Sequence, residues 1–450
     1  MGAVMRAGLA MASVVLLFVG GPEARAQTYD QLRKWCFGDV STEDQTIRGC
    51  DAVLKLRREA PANLVSAMQY RGLAYFNKGQ VDKALGDFDQ ATKLNPWIAS
   101  NFELRGNAHL AKGQYDLAIE DYGRALALKP DYASALDNRG SAYAGKGELD
   151  RAIEDFGRAI KLRNNYAPAY FHRGNAYYEK GDYDRAIQDY DHAIKLNSRI
   201  AGAFNGRGLA HYTLGQHDRA IEDFEQAIRL DPTQARFFFN RGIAYAAKSK
   251  YDRAVRDYDR AVTINTEYAA AFNNRGNAFM ARGEYDRAIE DYDRAIALRP
   301  DYALAYRNRA TAYQSKDQNE RAINDYGQAI ALNASDPDAY NGRCWNSAIV
   351  GNLQAATADC NEALRLRPDD ANTLDSRGLA HLKAGQLDAA IADYEAALKA
   401  DPKLYTSLFG RGVARYRKGD TAGGNADIAT ARAMRSNVAD DFAKWGVKVL

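Results

Sequence analysis

The chain is poor in the residues that most often carry chemistry. Six histidines are scattered through 450 residues, none with metal-ligand spacing. Four cysteines include no C-x-x-C pair and have no histidine nearby, which speaks against zinc. No glycine-rich phosphate loop, G-x-S-x-G elbow or H-E-x-x-H helix occurs, so nucleotide, esterase and zinc-protease chemistry lack their frames. Excess charge is missing as well. Sixty-one lysines and arginines nearly balance 58 aspartates and glutamates, a formal +3. That supplies no electrostatic case for nucleic acid or for an anionic membrane surface. Runs such as Asp291-Tyr292-Asp293-Arg294 are carboxylate-rich, but mid-helix they lack the loop geometry calcium needs. No cofactor, no metal and no enzymatic activity are expected.

A membrane-spanning run is lacking too. The apolar stretch Ala7 to Gly21 is too short to cross a bilayer comfortably. With Arg6 before it and Ala24-Arg25-Ala26 ahead of a cut at Gln27, residues 1–26 read as a secretory signal. No cysteine stands just after the cut, so a lipid anchor is not indicated. The mature chain is expected to be periplasmic or secreted. The cysteines agree with export. They allow three pairings, and the one joining near neighbours is Cys36–Cys50 with Cys344–Cys360.

What is present is a period. An arginine followed by a small residue recurs every 34 residues, eleven times, from Arg71-Gly72 to Arg411-Gly412. Self-similarity on this scale marks stacked two-helix units. In the unit 99–132, Phe102, Gly106 and Ala108 recur at near-helical spacing, and Lys112-Gly113 breaks the first helix. A second helix starts around Tyr115-Asp116, buries Ala118, Tyr122 and Ala125, and ends between Leu128 and Pro130. One such hairpin leaves its apolar face open and is stable only when stacked.

The spacing of an aromatic at position 4, glycine at 8, alanine at 20, an aromatic at 24 and proline at 32 resembles the tetratricopeptide repeat. The resemblance covers 65–438 and implies an all-α, right-handed superhelical solenoid of eleven 34-residue helix-turn-helix repeats. Their expected bounds are 65–98, 99–132, 133–166, 167–200, 201–234, 235–268, 269–302, 303–336, 337–370, 371–404 and 405–438. A capping segment is expected at 27–64 and a capping helix at 439–450. The chain departs from the family pattern at position 7, where arginine replaces the usual leucine in every unit. At position 32, Asn164, Ser198, Thr266, Ala334 and Ser436 replace proline.

Position 23 is aspartate in all eleven units. Two opposite charges repeated in step predict a ladder of pairs, Arg173 with Asp189 among them, rather than a row of arginines gripping an acidic ligand. What is identical in every unit is fold, so function is sought where the units differ. In this family positions 2, 5, 6, 9 and 12 commonly face the concave groove. Here they present Phe171, His172, Tyr178, Tyr212 and Phe239, and the asparagines Asn175, Asn205, Asn240, Asn273, Asn274, Asn277, Asn308 and Asn341, with Arg307 beside them. An amide donates and accepts, so it pairs with an extended backbone without reading side chains; the resemblance implies an asparagine ladder of that use. The bland alternative is a solvated polar face with aromatics packed between helices.

Positions 2, 5 and 6 hold no lysine in any unit, which argues against the carboxylate clamp of tetratricopeptide co-chaperones. The ninth unit stands apart, with both cysteines, Trp345 at position 9, and Asn346 where the other units have alanine. It is either a stapled irregularity or a tryptophan anchor for a ligand. The expected function is a non-enzymatic scaffold that binds a protein or peptide segment in its groove, in cell-envelope assembly or secretion. The alternative is a polysaccharide-export protein contacting glycan or export machinery. The sequence leaves the oligomeric state open.

Overall fold

A computed structural model describes residues 27–38 and 41–448, and the predicted signal at 1–26 lies outside the described residues. Among the described residues there are 25 helices and no strand. Two compact units divide between Ala176 and Tyr177, within the helix Ala167–Glu179.

Each helix pair has an A helix and a B helix, and the stop between them is chemical. Helix Ala99–Ala111 ends because Gly113 takes φ 68°, letting the Gly113 and Gln114 amides donate to Leu110 and His109 carbonyls at 2.9 Å. Where glycine is absent, Ser249 and Asp317 adopt φ 55° and 56°. That conformation costs an L-residue about 1 kcal/mol. The B helices Tyr115–Leu128, Tyr251–Ile264 and Tyr285–Leu298 carry Asp116, Asp252 and Asp286 in their first turn, where a carboxylate meets the positive helix end.

Position 8 is glycine because a ring from the paired helix lies against it. A Cβ on Gly106 would stand 2.8 Å from Tyr122 Cε1, and one on Gly242 would stand 2.7 Å from Tyr258 Cε1. Both rings are almost wholly removed from water, which contributes about 2–3 kcal/mol each. Fully buried alanines such as Ala108, Ala118 and Ala125 bring the helices close enough to close the seat.

Unit one begins with helices Tyr29–Phe37 and Glu43–Leu56, joined by the Cys36–Cys50 disulfide across 4.6 Å between Cα atoms. Thr42 and Gln45 form a reciprocal capping box at the second. The pairs Pro61–Asn77 with Val81–Leu94, Ala99–Ala111 with Tyr115–Leu128, and Ala133–Gly145 with Leu149–Leu162 follow.

Unit two includes helix Tyr183–Leu196 and then seven stacked pairs, from Ala201–Thr213 with His217–Leu230 to Tyr405–Arg417 with Thr421–Met434. In the pair Pro337–Val350 with Leu353–Leu366, the disulfide Cys344–Cys360 replaces the glycine and its ring, with Cα atoms 5.5 Å apart. Helix Val438–Lys444 packs at the end of the unit, its Phe442 ring 4.7 Å from Phe409.

Candidate functional site

The repeated charges meet inside each pair. Arg241 donates from Nε and Nη2 to the two oxygens of Asp257, at 2.8 and 2.6 Å. The same fork joins Arg71 to Asp87 and Arg105 to Asp121 in unit one, and Arg275 to Asp291 and Arg377 to Asp393 in unit two. The third nitrogen often reaches the preceding B helix, as Arg275 Nη1 reaches Asp259 at 2.6 Å. Guanidinium groups held this way are committed to the fold. Burial pushes the Asp257 and Asp291 carboxyls up even against the pull of their arginines. Arg173 is half-buried in unit one and Asp189 is buried in unit two.

In unit one, the Phe171 and His172 rings lie 5.5 Å apart. His172 Nδ1 is bonded to buried Asp137 at 2.9 Å, and Asn175 is half-buried. An amide bridge crosses neighbouring A helices here too: Asn138 Nδ2 and the Tyr122 hydroxyl both donate to Asn107 Oδ1, at 3.0 and 2.7 Å.

In unit two the asparagines bond largely to one another. Asn240 Nδ2 donates to Asn205 Oδ1 at 2.8 Å. Asn308 Nδ2 donates to Asn273 Oδ1 and Asn277 Oδ1, each at 3.0 Å, and Asn273 Nδ2 donates to Asn274 Oδ1 at 3.2 Å. The Tyr292 hydroxyl also donates to Asn277 Oδ1, at 2.7 Å. Asn205 and Asn273 are buried, while Asn277 is exposed. Tyr178 lies against Tyr183, and Phe239 against Tyr258 and Tyr268. Arg307 Nη1 is held by Asp336 at 3.0 Å and Asp338 at 3.3 Å. Asn341 Oδ1 is buried without a hydrogen-bond partner among the described residues. Trp345 packs edge-on to Trp445, with ring centroids 4.7 Å apart.

Three of these residues meet at one cavity of about 230 Å³. Tyr212, Tyr251 and Tyr258 supply its aromatic walls, Ile243 and Ala246 an apolar surface, and Asn274 and Asn277 a polar edge. The internal lattice has used both asparagine oxygens. The Asn274 and Asn277 amide nitrogens donate to no group among the described residues, so the cavity's asparagine edge offers donors. Tyr251 and Tyr258 come from a B helix and were not among the sequence candidates. A tyrosine at position 17, as in Tyr115, Tyr183, Tyr251 and Tyr285, was the available cue.

A larger cleft, about 420 Å³, lies in unit one between Leu54, Leu64, Met68 and Leu94. Two of its cations are already paired, Arg71 with Asp51 and Asp87, Lys93 with Asp89, which leaves Arg57 as its remaining cation. The position-11 histidines are tied locally: His109, His211 and His381 bond through Nδ1 to Gln114, Gln216 and Gln386. Among the described residues, no cluster of three or more histidine, cysteine, aspartate or glutamate side chains is placed to hold a metal.

Family models match along most of this architecture. A model described as TPR repeat matches 106–147, 140–181 and 276–317. Models described as tetratricopeptide repeat match 171–235, 205–272 and 376–431, with further matches at 65–96 and 303–336. No curated protein matches the chain in sequence. Among solved structures, a chain of the APC/C hetero-tetramer Cut9–Hcn1 matches at 16% identity, covering 94% of this chain and 97% of that one, with a TM-score of 0.50. MamA matches at 28% identity over 35% of this chain and 93% of its own, with a TM-score of 0.34. A tetratricopeptide repeat protein from Parabacteroides merdae ATCC 43184 matches at 22% identity over 55% and 98%, with a TM-score of 0.44. With family models covering more than half of its length, and helix pairs built around a glycine-seated ring, this chain belongs to the tetratricopeptide repeat family.

Proposed function

We propose that the chain is a non-enzymatic interaction scaffold that binds an extended segment of a partner polypeptide along the A helices of unit two. The observation that carries this reading is the cavity beneath Tyr212, with its aromatic walls and two donating amides. An apolar side chain fills such a cavity, while backbone carbonyls on either side accept from Asn274 and Asn277. The donors are uncharged, so affinity rests on burial and hydrogen bonds rather than on charge.

Two crosslinked cysteine pairs fit an oxidising compartment, and the signal-like residues 1–26 fit export. No helix among the described residues is long and apolar enough to cross a membrane. We place the protein in the periplasm or outside the cell, with a cell-envelope or secretion component as its partner.

A photo-crosslinking amino acid at Ala246 reads the cavity directly. Crosslinking in envelope extract should yield protein adducts that map to a short peptide. The same chain with Asn274→Ala and Asn277→Ala, shown to be folded, should lose at least tenfold in yield. Equal yield from both chains, or adducts of glycan alone, would defeat the peptide reading.

A further inference from the structure

Residues 445–448 lie on a second surface in unit two, apart from the cavity under Tyr212. After helix Val438–Lys444, Gly446 turns at φ 80°, with its amide on Ala443 O and the Val447 amide on Phe442 O. This turn leaves the Trp445 and Lys448 carbonyls to groups outside the segment. Lys383 Nζ donates to Trp445 O at 2.6 Å and to Ile349 O at 2.7 Å. Arg417 Nη2 donates to Lys448 O at 2.8 Å, while Trp445 lies edge-on to Trp345.

Lys383 and Arg417 both hold position 13, one unit apart, and the other nine units have no cation there. The two cations therefore occur only where the segment lies. Among the described residues no carboxylate pairs with Lys383; burial pulls its ammonium below the usual lysine range, and backbone carbonyl oxygens accept its hydrogen bonds. Both contacts read backbone, so they do not depend on the sequence of the bound segment. The side-chain requirements are an aromatic ring for Trp345 and, two residues on, an apolar group, because Val447 is buried in the core.

We propose that Trp345, Lys383 and Arg417 form a binding surface for a polypeptide segment bearing an aromatic side chain, an apolar one two residues on, and two free backbone carbonyls, and that residues 445–448 of this chain occupy it when no partner does. The partner segment displaces the chain's own end and uses the same donors. Failure of the Tyr212 cavity would leave this surface standing, since the two share no residue.

A labelled synthetic peptide spanning residues 438–450 tests it. Added to the full chain, the peptide should bind at least tenfold more weakly than to the full chain carrying Trp445→Ala, whose own segment competes less once it has lost its ring. Adding Lys383→Met to that variant should cost at least a further tenfold. Equal affinity for parent and variant, or an affinity indifferent to Lys383→Met, would overturn the proposal. Hydrogen exchange on the unaltered chain decides the matter should the variant not fold. The Gly446 and Val447 amides should exchange at least tenfold faster than those of Val413 and Ala414; equal protection would make the segment an inseparable part of the fold and sink the idea.

Discussion

Asp375 shows how much one residue's surroundings decide. It stands at position 5, where Asn205 and Asn273 stand in other units, and it is buried. Ser407 Oγ donates to it at 2.6 Å and Thr406 Oγ1 at 2.9 Å. Burial outweighs both bonds and pushes the carboxyl up to about 6. Nearby, the buried Tyr394 hydroxyl has no hydrogen-bond partner among the described residues. The folded chain thus holds this proton more tightly than the unfolded chain does. The group favours folding below about pH 4, and that contribution is lost as pH rises through about 6. Asp375→Asn should therefore stabilise the protein by about 1–2 kcal/mol at pH 8, after allowing for one weakened hydroxyl bond. The gain should vanish near pH 4. Urea unfolding at the two pH values checks the sign, and an equal effect at both would refute it.

At the scale of a helix pair, the recurring device is a ring seated on glycine. The Cys344–Cys360 crosslink occupies the same two register positions as Gly242 and Tyr258, so bond and ring are alternative ways to hold two helices together. Losing the crosslink through Cys344→Ala with Cys360→Ala should cost about 3 kcal/mol, from loop entropy returned to the unfolded chain. Cys344→Gly with Cys360→Phe should instead stay within about 1 kcal/mol of the oxidised parent, because it rebuilds a native seat of similar shape. Denaturant midpoints for the two variants, measured side by side, make the comparison.

Across the molecule, the arginine–aspartate forks recur in both units, with several arginines also stitched to the preceding B helix. Their paired groups are largely out of water: the Arg241 side chain is 20% exposed and that of Asp257 6%. Desolvation then offsets most of the attraction, so the forks set the register of helices more than they add stability. Arg241→Met alone should lower stability by about 3–5 kcal/mol, since it strands a buried carboxylate. Arg241→Met with Asp257→Leu should recover most of that loss. A double variant no more stable than the single one would show that the pair contributes net stability of its own.

The 34-residue period, the small residues at position 8 and the glycine stops determined the all-helical class and the family, because these are local and repeated facts. A glycine opposite an aromatic sixteen residues later has one use in a helical hairpin. The asparagines were legible as a polar row, but not in their orientation. Only the neighbouring A helix decides that Asn277 gives its oxygen to Tyr292 and Asn308 and keeps its nitrogen for the cavity. Trp345 read as a stapled irregularity or an anchor, and Trp445, far downstream, supplies the ring that covers it. Nothing in the sequence marks Asp375 as buried; the helix Tyr405–Arg417, through Thr406 and Ser407, closes over it. Period and propensity act within a unit, and so they are written in the chain. Burial, amide direction and the occupancy of a surface arise between units, where the tertiary structure alone sets which side chains meet.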